Sequence, residues 1–211
     1  MKFKLLFSYR FLLFILSVLG VYLQLTKHGG FGMMLYYTIL SNMFVMFFMG
    51  DMVWRMLRGR STQTKGYLRM KGAVTMAIMI TFVIYHFMLA PLATPEKFYR
   101  LENFLCHYIV PLMFFFDTLV VDKAKQYRKL DPFLWTLIPL AYMLFALLNG
   151  LVLKWPIPGA KDSPFAYFFI NVNKYGWAFV VKWVVIIFIA YLLAGYVLYG
   201  IKNIKRKSAV S

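Results

Sequence analysis

The chain has 211 residues, 62% of them hydrophobic and 20% aromatic, with a mean hydropathy of +0.69. Only 15% are charged, against about 25% in a soluble domain, and the charges cluster between long apolar runs, which excludes an ordinary soluble fold and points to a multi-span membrane protein. A net charge of +17 would direct a soluble chain toward nucleic acid; here the cations sit in juxtamembrane clusters, so they read as loops facing anionic headgroups and no nucleic-acid partner is expected.

The first apolar run, residues 9–25, follows MKFK like the start of a signal peptide. The stretch after it, GVYLQLTKHGG, carries bulky side chains where a cleavage site needs small ones, so the run is taken as a true span. Five more windows reach the roughly 20 apolar residues that cross a bilayer: 33–53, 73–92, 104–121, 133–153 and 176–199. The fold class expected is therefore all-α, a single domain of six transmembrane helices over residues 1–211. The single cysteine, Cys106, cannot form an intramolecular disulfide.

Orientation follows from Lys and Arg. Lys2, Lys4 and Arg10, the 55–71 loop, the 123–129 loop and the tail from Lys202 to Lys207 hold 17 of the 24 cations. The opposite loops hold six, namely Lys27, Lys97, Arg100, Lys154, Lys161 and Lys174, and Lys182 falls inside the last span. This asymmetry predicts both termini in the cytoplasm, at a cell membrane. The longest connection on the other side, 154–176, is rich in aromatics and proline and is expected to lie at the interface as a re-entrant or capping segment.

Polar side chains inside spans are costly and tend to face the bundle interior, which makes them candidates for a site. Counting about 1.5 Å per residue, Thr38, Ser41 and Asn42 fall in the outer third of the second span. His86 falls near the end of the third, and His107 in the first turn of the fourth. Asp117 lies deeper in the fourth span, flanked by MFFF and TLVV, where a carboxylate needs a partner or a proton. Asn149 and Tyr142 share a stripe of the fifth span, and Lys182 lies in the outer half of the sixth. Each has a bland alternative: threonine bonding its own helix, aromatic and histidine side chains in an interfacial belt, lysine snorkelling to headgroups. Asp51 and Arg55 form an i,i+4 pair of structural type. Their convergence on one depth from five spans predicts a shared chamber. Pro111 and Pro139, inside spans, are expected to kink them beside it.

The soluble signatures G-x-S-x-G, H-E-x-x-H, the P-loop and G-x-G-x-x-G are missing. Three histidines without ligand spacing make a metal site a weak reading, and no cofactor is expected. What remains is a hydroxyl, Thr38, with imidazoles at His107 and His86 in an amphiphile-accessible layer. A hydroxyl nucleophile needs a base and donors for an oxyanion; Thr38 and His107 would fill the first two roles, Asn42 or a tyrosine hydroxyl the third.

YYTILSN in the second span and CHYIVPLMFFFD in the fourth resemble the two motif segments of the androgen-induced-gene family of membrane hydrolases and its bacterial six-span relatives. The later run LDPFLWTLIPLAYMLFALLNG is similar in order and spacing. Characterised animal members cleave fatty acid esters of hydroxy fatty acids with a threonine nucleophile and a histidine, roles that fall here on Thr38 and His107. The fifth loop departs from the bacterial pattern Y-P-(F/Y)-x-F-L-D, reading SPFAYFFINVN with Asn171 near the expected acid. The expectation is a lipid hydrolase whose partners are membrane lipids and a fatty-acyl substrate, with Ser41, Asn42, His86, Asp117, Tyr142, Asn149 and Lys182 around the substrate. The alternative is a non-catalytic binding or transport subunit for a small hydrophobic or vitamin-like ligand. Such subunits dock through small residues on the first helix, whereas FLLFILSVLGVYLQ is bulky.

Overall fold

The structure, a computed structural model, describes residues 3–160 and 163–204. Of the cations used for orientation, Lys2, Lys161, Lys205, Arg206 and Lys207 lie outside the described residues. The secondary structure described is entirely helical. Six helices are long and apolar enough to cross a membrane: α1 (Phe3–His28), α2 (Tyr37–Leu57), α3 (Lys65–Leu92), α4 (Leu101–Val120), α5 (Asp131–Leu153) and α6 (Val172–Asn203). This is the architecture of a multi-pass membrane protein, in which a backbone without water must bond to itself. The helices outrun the apolar windows at several ends, α1 starting at Phe3 and α6 reaching Asn203. The helical ladder continues beyond the apolar stretch into the flanking polar residues.

The first four helices form the dense half of the bundle. Leu13, Val45, Met49, Met52, Ile78 and Phe114 meet in its core, most of them with no exposed surface. Backbone approach is close where a residue is small: a Cβ on Gly20 would sit 3.1 Å from the Cys106 sulfur, the small-residue contact that lets membrane helices pack. The α5–α6 pair leans on α3. Its two helices come together where Gly195 rests against Pro132. Farther along, α6 breaks at Gly176, whose φ of 76° and ψ of 167° lie outside the helical region and suit glycine.

A buried ion cluster ties the dense half together. Asp117 accepts from Arg10 Nε at 3.1 Å, Arg10 Nη2 at 3.2 Å and Lys71 Nζ at 2.5 Å. Lys71 also donates to Asp122 at 2.6 Å, and Lys202 donates to the Asp122 carbonyl at 2.6 Å. Arg10 near the start of α1 and Lys202 near the end of α6 thus reach the same segment after α4, so these two ends share one face of the bundle. That face also carries the 58–65 and 123–129 cations and is called the basic face below.

Three helices contain a π-turn near the opposite face: Tyr85–Leu89 in α3, Leu105–Ile109 in α4 and Asn149–Leu153 in α5. A π-turn inserts one residue and rotates the side chains that follow, a feature concentrated at functional sites. All three fall within the stretches that carry candidate site residues.

Candidate functional site

Thr38 occupies the first turn of α2, and His107 lies in the π-turn of α4. Their side chains meet: Thr38 Oγ1 and His107 Nε2 are 3.2 Å apart. The direction of that bond follows from the other ring nitrogen. His107 Nδ1 is 3.0 Å from the Asn103 carbonyl oxygen, which can only accept, so Nδ1 carries the proton. Nε2 then presents its lone pair and the Thr38 hydroxyl donates to it. A hydroxyl with a neutral imidazole held as acceptor is the pairing a general base requires, within the distance that proton transfer needs.

The imidazole is fixed on all sides. His107 is buried and stacks on the Tyr85 ring at a centroid distance of 3.8 Å. Asn103, whose carbonyl sets the tautomer, is itself held, donating through Nδ2 to Tyr85 Oη at 2.6 Å and to the Phe98 carbonyl at 2.8 Å. Thr38 is positioned through its carbonyl, which accepts from Ser41 Oγ at 3.1 Å and Asn42 Nδ2 at 2.8 Å. Ser41 also bonds Thr81 Oγ1 at 2.7 Å, and Asn42 reaches across to the Cys106 carbonyl at 3.0 Å. Ser41 and Asn42 therefore lock α2 to α3 and α4 directly behind Thr38. Both Asn42 donors are committed to carbonyls, which removes Asn42 as an oxyanion donor.

Thr38 opens onto a narrow cavity of about 100 Å³. Its walls come from α3, α5 and α6, including Ile84, Pro139, Leu140, Met143, Ile187 and Phe188, and they carry no charged side chain. On the α3 wall it extends from Leu89 to Ile80, about 14 Å of helix axis at 1.5 Å per residue. Tyr191 and Thr136 line it nearer the basic face. That end owes its form to Pro139. Lacking an N–H, Pro139 leaves the Trp135 carbonyl without its helical donor, and Tyr191 Oη supplies one at 3.1 Å.

The roof is formed by residues 154–160 and 163–171. Tyr167, Phe169 and Ile170 line the cavity from this segment. Tyr36 donates to the Pro158 carbonyl at 2.6 Å, and burial pushes the Tyr36 hydroxyl up to about 12, so it remains a donor. Asn149 holds both arms, donating to the Trp155 and Pro164 carbonyls at 3.3 and 3.2 Å and accepting from Trp155 N at 3.1 Å. Phe165 packs flat on Gly150, where any side chain would overlap its ring.

The structure thus brings together Thr38, His107, Ser41, Asn42 and Tyr142; Tyr142 lines the cavity and donates to the Leu35 carbonyl at 2.8 Å. The remaining candidates are elsewhere. Asp117 belongs to the ion cluster, because two cations on α1 and α3 claim it. Asn149 serves the roof and does not line the cavity. His86, in the π-turn of α3, is exposed on the outer surface beside Tyr108, at 3.3 Å, and does not line the cavity. Lys182 is exposed on α6, off the cavity walls. The sequence reading did not single out Tyr85, Asn103 or Tyr167. A signal for the first two existed in the aromatic residue next to His86 and the amide one turn before His107; nothing in the sequence marked Tyr167. Among the described residues, no three His, Cys, Asp or Glu side chains are grouped to hold a metal ion. The chain matches no protein-family model, no curated protein and no solved structure.

Proposed function

We propose that the protein is a membrane lipid hydrolase that cleaves fatty acid esters with Thr38 as nucleophile and His107 as base. The observation that carries this reading is the 3.2 Å contact from Thr38 Oγ1 to a His107 ring whose Nδ1 is pinned to the Asn103 carbonyl, at the edge of an uncharged cavity. Thr38 Oγ1 attacks the ester carbonyl carbon while its proton passes to His107 Nε2. The tetrahedral intermediate expels the alcohol, which takes that proton from His107 and leaves an acyl-threonine. Water then attacks the acyl carbon as His107 accepts its proton, and the carboxylic acid departs as the proton returns to Thr38. The cavity suits the acyl chain because it offers apolar walls and no counter-charge. The resemblance of YYTILSN and CHYIVPLMFFFD to the androgen-induced-gene hydrolases supports the same two roles. In this reading the basic face is cytoplasmic and the site faces the outer leaflet of the cell membrane.

The test is turnover of p-nitrophenyl octanoate, and of an ester of a hydroxy fatty acid, by the purified protein in nanodiscs. Thr38→Ala should abolish turnover, and His107→Gln should lower kcat by about 100-fold or more, the scale of general-base catalysis. Wild-type rates in Thr38→Ala would remove the proposal.

A further inference from the structure

With Asn42 committed to carbonyls, the threonine still needs a donor for the charge that forms on the carbonyl oxygen. Tyr167, carried on the roof, stands at that place. Its hydroxyl oxygen is 3.4 Å from the Thr38 amide nitrogen, only three bonds from Thr38 Oγ1, and both residues line the cavity. Three neighbouring hydroxyl protons are committed, Thr38 to His107, Tyr142 to the Leu35 carbonyl and Tyr36 to the Pro158 carbonyl, while the buried Tyr37 hydroxyl on the cavity wall has no partner. The Tyr167 hydroxyl lies within hydrogen-bonding reach of the Thr38 and Tyr142 side chains, whose own protons go to His107 and to the Leu35 carbonyl. Burial pushes its hydroxyl above the ordinary tyrosine range, so the proton stays in place at neutral pH.

We propose that Tyr167 is a catalytic residue, donating its hydroxyl hydrogen bond to the oxyanion formed when Thr38 attacks the substrate carbonyl. The proposal rests on the hydrolase reading and adds to it the residue that stabilises the intermediate. As the C–O bond to Thr38 forms, the carbonyl π pair moves onto oxygen. Tyr167 keeps its proton throughout and shares it with that oxygen; the moving proton is the one that Thr38 gives to His107. The Thr38 amide donates into the Tyr167 oxygen, which polarises the O–H and strengthens it as a donor. The positive end of α2 lies at the same point, since Thr38 is in its first turn.

The ring is placed to do this with little motion. It stacks on Phe169 at 5.2 Å, meets Tyr36 edge-on at 5.9 Å and lies 6.3 Å from Tyr142. The roof segment is therefore part of the active centre: removing it would take away a donor as well as open the cavity.

The experiment compares Tyr167→Phe, Tyr36→Phe and Thr38→Ala with wild type, using p-nitrophenyl octanoate in nanodiscs. Tyr167→Phe keeps the ring and its stacking, so Tm and KM should stay near wild type. Its kcat should fall about 100-fold, as when one oxyanion donor is removed. Tyr36→Phe loses a roof anchor and no donor, so KM should rise while kcat stays within about threefold. A Tyr167→Phe kcat within twofold of wild type overturns the assignment, as does a loss confined to KM. Full turnover in Thr38→Ala instead sinks the hydrolase reading itself, whatever Tyr167→Phe does. Should Tyr167→Phe fail to fold, 3-fluorotyrosine at position 167 retains ring and hydroxyl while making the hydroxyl more acidic. An unchanged kcat with that substitution also overturns the assignment.

Discussion

Asp117→Asn isolates the energetics of the buried ion cluster. Asp117 has no exposed surface, and the side chains of Arg10 and Lys71 are 1% and 0% exposed. Arg10 and Lys71 meet the two carboxylates of Asp117 and Asp122 there, and the buried Lys202 ammonium adjoins them on the Asp122 carbonyl. The substitution keeps shape and hydrogen-bonding atoms but leaves Arg10 and Lys71 facing one carboxylate. Breaking a buried pair in this way costs about 3–5 kcal/mol, which for a chain of this size lowers Tm by about 6–20 °C. The comparison is Asp51→Asn, whose carboxylate pairs with Arg55 at 2.6 Å across side chains 41% and 31% exposed. That pair is worth about 0–1 kcal/mol. Both variants are unfolded thermally in the same detergent, followed by intrinsic fluorescence. The double variant Lys71→Met with Asp117→Asn removes one charge of each sign and should recover more than half of the loss, because Arg10 remains beside Asp122 at 3.9 Å. If Asp117→Asn costs no more than Asp51→Asn, the cluster is hydrated and the picture of a sealed polar core fails.

Other variants address the chamber and its roof. Asn149→Ala removes three hydrogen bonds to the roof and should cost about 1–3 kcal/mol, with a rise in KM for p-nitrophenyl octanoate and little change in kcat. Gly150→Ala drives a methyl into the Phe165 ring and should cost a similar amount, about 1–3 kcal/mol of overpacking, read as a lower Tm. Tyr191→Phe frees the Trp135 carbonyl and should cost about 1 kcal/mol, again measured by thermal unfolding. Met143→Trp fills the cavity, so long-chain p-nitrophenyl esters should lose far more kcat/KM than the acetate; an equal loss for both would show that the acyl chain lies elsewhere.

The six helices were legible because hydrocarbon imposes one strong rule, an uninterrupted apolar run, and each helix here obeys it. The Thr38–His107 meeting was legible too, since both side chains fall near the same end of their helices. Depth, however, is only one coordinate of a site. Asn149 and Lys182 were placed on the same side of the membrane as Thr38 and still do not line the chamber, because rotation about the helix axis and the π-turns decide which way a side chain points. Asp117 illustrates the opposite case. A carboxylate between MFFF and TLVV must have a partner, but its partners, Arg10 and Lys71, read in the sequence only as cations that set orientation. Long-range pairing of this kind, across 107 and 46 positions of sequence, leaves no local mark.

The two halves of the bundle divide the work in a way that follows from their chemistry. In α1 to α4, buried charges and close small-residue contacts fix each helix against its neighbours, and the penalty for separating an ion pair away from water resists any slippage. His107 and Thr38 are mounted on that half, on α4 and α2, and their geometry inherits its rigidity. The α5–α6 pair presents mostly aliphatic side chains to the cavity. Outside those walls it is tied to the first half by specific bonds: Asp131 on α5 pairs with Arg69 on α3, and Lys202 on α6 donates to the Thr118 and Asp122 carbonyls. Within the walls the contacts are dispersion and apolar burial, which are non-directional. In the proposed hydrolase, the catalytic pair needs fixed atoms and the acyl chain needs apolar walls. The cavity lies at the boundary where the two requirements meet, and the roof carrying Tyr167 spans it.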